Sequence, residues 1–241
     1  MENHIASDGV SYEYPNNMRI YDEFLEYCKD KTIAIVGSCP PSDPTKNLET
    51  EIENHDIVVR INTWHLFEDP QMFGRRTDVY CFNFYSKFPD LDTRREQLQW
   101  LLNTHSFEAK SVFSRNKSNH QHSREHVNPD KKHALFPEYI MSKFKYNSFP
   151  TSGVYVLIGF IEMLSKIQKL SVYGLSFNLT DSVDVNKRPG SAPIKGDIQS
   201  HHNYKNDREF AKETIGNLTP ELRDKIYIDN ENLRYYITNQ S

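Results

Sequence analysis

Several residues able to do chemistry stand at the ends of apolar runs. His202 lies five positions before Asp207 in SHHNYKNDREFAKE. A histidine there can take a proton near neutral pH. A carboxylate one turn into the following helix can face a phosphate-bearing loop or fix the helix in place. A His201–His202 pair taken alone reads as exposed loop. Gly37 closes the run TIAIV and is followed by Ser38. A glycine at a strand end permits a tight turn and a close ligand approach, and the serine hydroxyl can bond a phosphate or ribose. Neither GxGxxG nor GxxxxGK[ST] is present, so this turn is neither a dinucleotide fingerprint nor a P-loop. Asn62 follows the run DIVVRI; its amide can donate to a phosphate and accept from a hydroxyl. After Pro150, Thr151 or Ser152 can cap a helix, leaving N–H groups near Gly153 for a phosphate or carboxylate.

Other charged groups read as structural. Arg60 is costly to bury without a carboxylate, and Asp56 or Asp78 can supply one, fixing a loop by an ion pair. Arg75 and Arg76, in GRRTD, can hold anions bidentately, but bracing the loop after the second strand is the favoured reading. Asp90-Leu91-Asp92 is a DxD, a pattern that carries a metal in many sugar-nucleotide transferases. Straight before a helix, N-capping explains it as well. His120, His122 and His126 include an i, i+4 pair with metal-compatible spacing but lack a nearby third ligand of certain geometry, and Pro129 follows, so no metal site is expected.

The elements that position these residues alternate in type. Arg19–Lys29 has helical spacing of Ile20, Phe24, Tyr27 and Cys28. Thr32–Val36 is β-branched and uninterrupted, the pattern of a strand buried on both faces of a parallel sheet. Further strands are expected at Asp56–Ile61, Asp78–Phe84, Ser111–Ser114, Leu170–Tyr173 and Lys225–Ile228. Helices are expected at Asn47–Asn54, Arg94–His105, Gly153–Ile167, Tyr204–Ile215 and from Glu231. Two polar stretches, 115–132 and 178–200, read as loops or lids. The alternation predicts an α/β fold with a mainly parallel sheet flanked by helices. Ligands of such sheets lie beyond the carboxyl ends of the strands.

Composition narrows the function. The 241 residues carry 29 Lys and Arg against 33 Asp and Glu, a net charge of −4, which gives no global reason to bind nucleic acid. Mean hydropathy is −0.73. No run approaches the ~18 apolar residues of a membrane span, and the polar N-terminus lacks the apolar core of a secretory signal. The three cysteines, Cys28, Cys39 and Cys81, form no CxxC pair; reduced thiols in a cytoplasmic protein are the simplest reading.

Taken in order, these pieces resemble the sialyltransferase family, whose members carry a long, a short and a very short motif. The long motif is similar to IAIVGS, IENHDIVVRIN and FGRRTDVYCFN. The short motif is similar to FPTSGVYVLIGFIEML and LSVYGLSF, and the very short one to His202 with Asp207, where the family usually has Glu. Together they cover roughly Thr32 to Glu213. Ser38 stands where the family normally has Asn, the aromatic and histidine motif before the very short one is not recognisable, and the short motif has no cysteine for the disulfide of the animal enzymes. Membrane anchor and stem are absent, so the chain looks like a bacterial or viral soluble form.

The resemblance implies a single Rossmann-like domain of variant GT-A type, with residues 1–30 an N-terminal extension and helix and 31–241 the catalytic domain. It implies an inverting, metal-independent glycosyltransferase with no cofactor beyond its donor. That enzyme would move sialic acid from CMP to a hydroxyl of a glycan or glycolipid, with peripheral membrane contact allowed. On this resemblance His202 is the general base. Gly37, Ser38 and Asn62 hold the phosphate and ribose. Thr151, Ser152 and Gly153 reach the nucleotide or sugar carboxylate, Gly174 lets the backbone approach cytidine, and His201 stabilises the leaving phosphate. Two alternatives stand beside it: a CMP-Kdo-dependent Kdo transferase, and an inactive nucleotide-binding module of a glycan-assembly complex.

Overall fold

The computed structural model describes residues 22–37, 39, 43, 45–61, 73–81, 150–175, 177 and 204–238. In chain order these form helix α1 (22–28), strand β1 (Thr32–Val36), α2 (Glu49–Glu53), β2 (Ile57–Ile61), β3 (Val79–Cys81), α3 (Ser152–Ile161), β4 (Lys169–Tyr173), α4 (Tyr204–Gly216), α5 (Pro220–Arg223), β5 (Ile226–Ile228) and α6 (Glu231–Thr238). The helix expected at 94–105, the strand at 111–114 and the two polar stretches lie outside the described residues.

The five strands make one sheet in the order β3-β2-β1-β4-β5, and every neighbouring pair is parallel. That is the order of a Rossmann-type sheet, with β1 central and the chain reversing direction across the sheet between β1 and β4. The expected α/β fold with a parallel sheet is therefore present.

Strand alternation sorts the core. Ile33, Ile35, Ile57, Val59, Leu170, Val172 and Ile228 join Phe24 and Cys28 of α1 and the apolar side chains of α3, α4 and α6. Ala34, Val36, Val58 and Tyr173 pack on the other side against Leu48, Ile52 and Phe73. All three cysteines are free and buried. Burial pushes the Cys28 thiol up to about 12 and holds Cys81 well above its usual value, so both are inert apolar fillers.

Two elements depart from expectation. Regular helix α3 ends at Ile161, six residues short of the apolar pattern, because Met163 and Leu164 bond back to Phe160 and Ile161. Such i→i−3 bonds tighten the chain while Met163, Leu164 and Ile167 stay buried. The carbonyls left over at Leu164 and Ile167 accept from Lys225 Nζ at 2.9 and 2.8 Å. Helix α5 falls outside the expected elements; four residues show no period, and Thr219 at the cap position followed by Pro220 is the local sign of a helix start.

Candidate functional site

The carboxyl ends of β1 and β4 meet through two glycines. Gly37 N donates to Tyr173 O and Cys39 N to Gly174 O, both at 2.8 Å. Gly174 has φ +63, the left-handed region open to glycine. A Cβ on Gly174 would sit 2.6 Å from Gly37 O and 2.9 Å from Cys39 O. The two strand ends thus lie backbone against backbone, which no larger residue allows. This contact gives both glycines a packing role within the fold.

Helix α3 begins beside that junction. Thr151, extended at φ −65 and ψ 156, caps it by accepting from Val154 N. Four N–H groups at a helix start need partners from outside the helix. Thr151 N donates to Asp207 Oδ2 at 3.0 Å and Val154 N to the Thr151 hydroxyl at 3.4 Å. Among the described residues, the N–H groups of Ser152 and Gly153 have no acceptor. Gly153 also packs tightly: a Cβ there would lie 3.1 Å from Leu175 and 3.4 Å from Phe177.

Asp207 lies in the first turn of α4 and is 4% exposed. Next to it, Arg208 Nη1 donates to Phe177 O at 3.0 Å. Two consecutive side chains therefore tie the start of α4 to the start of α3 and to the segment after β4. Of the two roles open to Asp207 in the sequence, fixing the helix is the one its hydrogen bond performs.

Arg60 fixes a loop, but not by the expected ion pair. It is 0% exposed, and its Nε donates to Arg76 O and Thr77 Oγ1, both at 3.1 Å. Among the described residues, Nη1 and Nη2 have no hydrogen-bond partner. Both expected carboxylates are engaged elsewhere. Asp56 Oδ2 accepts from Thr32 N and Oγ1, each at 2.8 Å. Asp78 Oδ2 accepts from Val58 N and Arg76 Nε, each at 2.8 Å. Burial lowers the Arg60 guanidinium to about 10, while the charges of Glu53 and Asp78 oppose that fall.

Arg76 braces the loop, as its sequence position led one to expect. Besides Asp78, its Nη1 donates to Glu53 O at 2.9 Å and its Nη2 to His55 O. It thereby places a cation on carbonyls at the carboxyl end of α2, where the helix dipole favours positive charge. Glu53 Oε1 returns the contact by accepting from Arg75 N at 2.5 Å and Arg76 N at 3.2 Å. Arg75 itself is exposed, with Glu49 at 3.8 Å.

A buried polar cluster on the α2 side of the sheet escaped the sequence reading. His55 Nδ1 lies 3.0 Å from Glu51 O and 3.2 Å from Ile52 O, and its Nε2 lies 2.8 Å from Ser171 Oγ. Carbonyls accept only, so Nδ1 carries the proton and neutral Nε2 accepts from the hydroxyl. Tyr173 OH donates to Glu51 Oε1 at 3.0 Å. Lys46 Nζ donates to Asp229 Oδ1 at 2.8 Å and lies 3.4 Å from Glu51. Polar residues at every second position of LSVY were the available sign. Among the described residues, no three His, Cys, Asp or Glu side chains group as metal ligands.

No family model matches this chain, and no curated protein matches it in sequence. Among solved structures it is similar to a mammalian sialyltransferase. The TM-score is 0.44 and the identity 11%, over 90% of this chain and 79% of that one. It is also similar to a mammalian sialyltransferase in complex with Gal-beta-1-3GalNAc-ortho-nitrophenol. There the TM-score is 0.45 and the identity 13%, with the same coverage.

Of the expected site residues, the fold brings Gly37, Gly174, Thr151, Ser152 and Gly153 to one edge of the sheet. Ser38, Asn62, His201 and His202 lie outside the described residues, as do Asp90, Asp92 and the histidines at 120, 122 and 126. Among the described residues no helix is long and apolar enough to cross a membrane.

Proposed function

We propose that this chain is an inverting glycosyltransferase that moves an acidic α-keto sugar from CMP to a hydroxyl of a glycan or glycolipid. The observation that carries the reading is the start of α3. Ser152 and Gly153 offer N–H groups without acceptors among the described residues, next to the Gly37–Gly174 junction at the carboxyl edge of the sheet. Oriented amides at a helix start suit a phosphate or carboxylate, and the carboxyl edge is where ligands of such sheets bind. The order and spacing of the long, short and very short motifs supply the rest of the support.

In this reading Ser38 and Asn62 hold the phosphate and ribose. The Ser152 and Gly153 amides meet the donor phosphate or the sugar carboxylate. His202 removes the acceptor proton as the acceptor oxygen attacks C2 and the bond from C2 to the phosphate oxygen breaks. The leaving CMP takes the electron pair, and attack from the opposite face inverts the anomeric centre. Negative charge gathering on the phosphate is offset by amides of α3 and by His201, a preorganised arrangement that needs no metal. Sialic acid and Kdo are both carried as CMP glycosides; sialic acid is the donor in this reading, and Kdo is its rival.

The test is thermal stabilisation by CMP, UMP, GDP and NAD, each with and without EDTA, followed by turnover of CMP-sialic acid and CMP-Kdo. Selective stabilisation by CMP that survives EDTA is expected. His202→Ala should then lower turnover about 10²–10⁴-fold. Absence of a CMP response, or one that requires a divalent metal, overturns the proposal.

A further inference from the structure

We propose that the Arg60 guanidinium and the backbone amides of Arg75 and Arg76 form a binding site for a phosphate-class oxyanion, in which the Glu53 carboxylate stands as a tethered competitor. The inference is independent of the transferase reading, which uses none of these groups. Arg60 supplies the observation that points to a ligand. It is 0% exposed, and among the described residues neither Nη1 nor Nη2 has a hydrogen-bond partner. Unused N–H groups on a buried cation are costly. The guanidinium remains charged at neutral pH, since burial lowers it only to about 10. Its open end faces the turn at Gly74. The point that a Cβ on Gly74 would occupy is 3.4 Å from Arg60 Nη2 and 3.2 Å from both Cγ and Oε1 of Glu53. The same turn presents two successive amides to that carboxylate: Arg75 N donates to Oε1 at 2.5 Å and Arg76 N at 3.2 Å. Gly74 has φ +67, and successive amides in such a turn make a concavity suited to an anion.

Glu53 satisfies the amides but not the guanidinium. A carboxylate placed here only to neutralise Arg60 would meet its fork bidentately, the arrangement in which such a pair gains most. Held on the two amides instead, Glu53 leaves both Nη atoms unbonded. A tetrahedral oxyanion has oxygens pointing in several directions, so it can accept from the amides and from the Arg60 fork together. Glu53 is half-buried and is the last residue of α2, so its carboxylate can turn out to water and give up the place. Repulsion between like charges at this range means that the entering anion replaces Glu53 and does not bind beside it.

The experiment measures binding of inorganic phosphate to the full chain by calorimetry and thermal stabilisation, against sodium chloride at equal ionic strength. Glu53→Gln removes the competing charge and should bind phosphate about tenfold more tightly than wild type. Glu49→Gln makes the same charge change on the same helix, beside Arg75, and should stay within about twofold of wild type. Adding Arg60→Lys to Glu53→Gln should abolish the gain, because one ammonium cannot reproduce the planar fork. CMP as a competitor distinguishes the sources of the ligand: competition assigns the site to a nucleotide phosphate, and its absence assigns it to a free phosphate ion. A Glu53→Gln protein that binds phosphate no more tightly than wild type overturns the proposal, as does equal tightening in Glu49→Gln or a double variant that keeps the full gain. Should the double variant not fold, the comparison of Glu53→Gln with Glu49→Gln decides alone, since both side chains reach solvent. The readout with inorganic phosphate uses no sugar donor, so its failure leaves the transferase reading standing, and failure to turn over a donor leaves this site standing.

Discussion

The Gly174 backbone sits against that of Gly37, so that a Cβ on Gly174 would lie 2.6 Å from the Gly37 carbonyl oxygen. The contact joins the ends of neighbouring strands where the sheet changes direction of travel. Substituting Gly174→Ala meets two costs. The residue has φ +63, which costs an L side chain roughly 1–2 kcal/mol. Overpacking against rigid backbone adds about 1–3 kcal/mol. A loss of roughly 2–5 kcal/mol in urea unfolding is expected. A loss under 1 kcal/mol would mean that the two strand ends can part.

Arg76 offers a second test in the same loop. Its guanidinium joins Asp78, Glu53 O and His55 O, and thus α2 to the start of β3. Arg76→Ala should cost about 2–3 kcal/mol, because Asp78 loses its ionic partner and two carbonyls lose donors. Arg76→Lys should recover only part, since one ammonium cannot reproduce the planar fork. Equal denaturation midpoints for all three proteins would show that the loop is held by other contacts.

The parallel sheet was legible because TIAIV is a β-branched apolar run without alternation, LSVY is a short run straight after a helical pattern, and glycines follow both. Partners were less legible because they depend on register. Ile33 pairs with Ile57, which puts Thr32 level with Asp56 and consumes that carboxylate. Arg60 stands four residues further along the strand, about 13 Å away, too far for Asp56 to serve it. Asp78 lies one residue before β3, where Val58 N and Arg76 claim it. Nothing local in the chain encodes those distances. The Thr151–Asp207 bond spans 56 residues, so only the folded sheet brings its ends together. The cap at Thr151 was legible, because Pro150 and a hydroxyl before an apolar helix form a short-range signal.

His55 gives the stability a pH dependence of definite sign. Burial lowers its pKa below 6.5, and the carbonyls of Glu51 and Ile52 oppose that shift. The unfolded chain therefore takes up the proton before the folded one does. Stability is complete above about pH 6.5 and declines as the pH falls below it toward the lower, folded value. Carboxylates such as Asp56, held below the ordinary value by the Thr32 amide and hydroxyl, lose their contribution only in a more acidic window. Urea midpoints at pH 8 and pH 5.5 separate the two. Wild type should lose more over that interval than His55→Gln, and equal losses would exclude His55 as the cause.

The Ser152 amide can be removed without removing the helix. Ser152 is the first residue of α3, and proline is well accepted at that position because its missing N–H has no partner within the helix. Thr151, at φ −65 and ψ 156, already has the extended conformation that a following proline demands. Ser152→Pro should therefore leave the melting temperature unchanged or raise stability by about 0.4–1 kcal/mol through a more restricted unfolded chain. A ligand anion that used this amide would lose a charge-assisted hydrogen bond worth about 1.5–3 kcal/mol. CMP affinity, measured by calorimetry, should then fall roughly 10–100-fold. Undiminished CMP affinity in a stable Ser152→Pro protein would remove this amide from the phosphate site and leave Gly153 N as the donor to test. Reduced affinity together with reduced stability would instead mean that proline had disturbed the Asp207–Thr151 bond, which the melting temperature of Asp207→Asn calibrates.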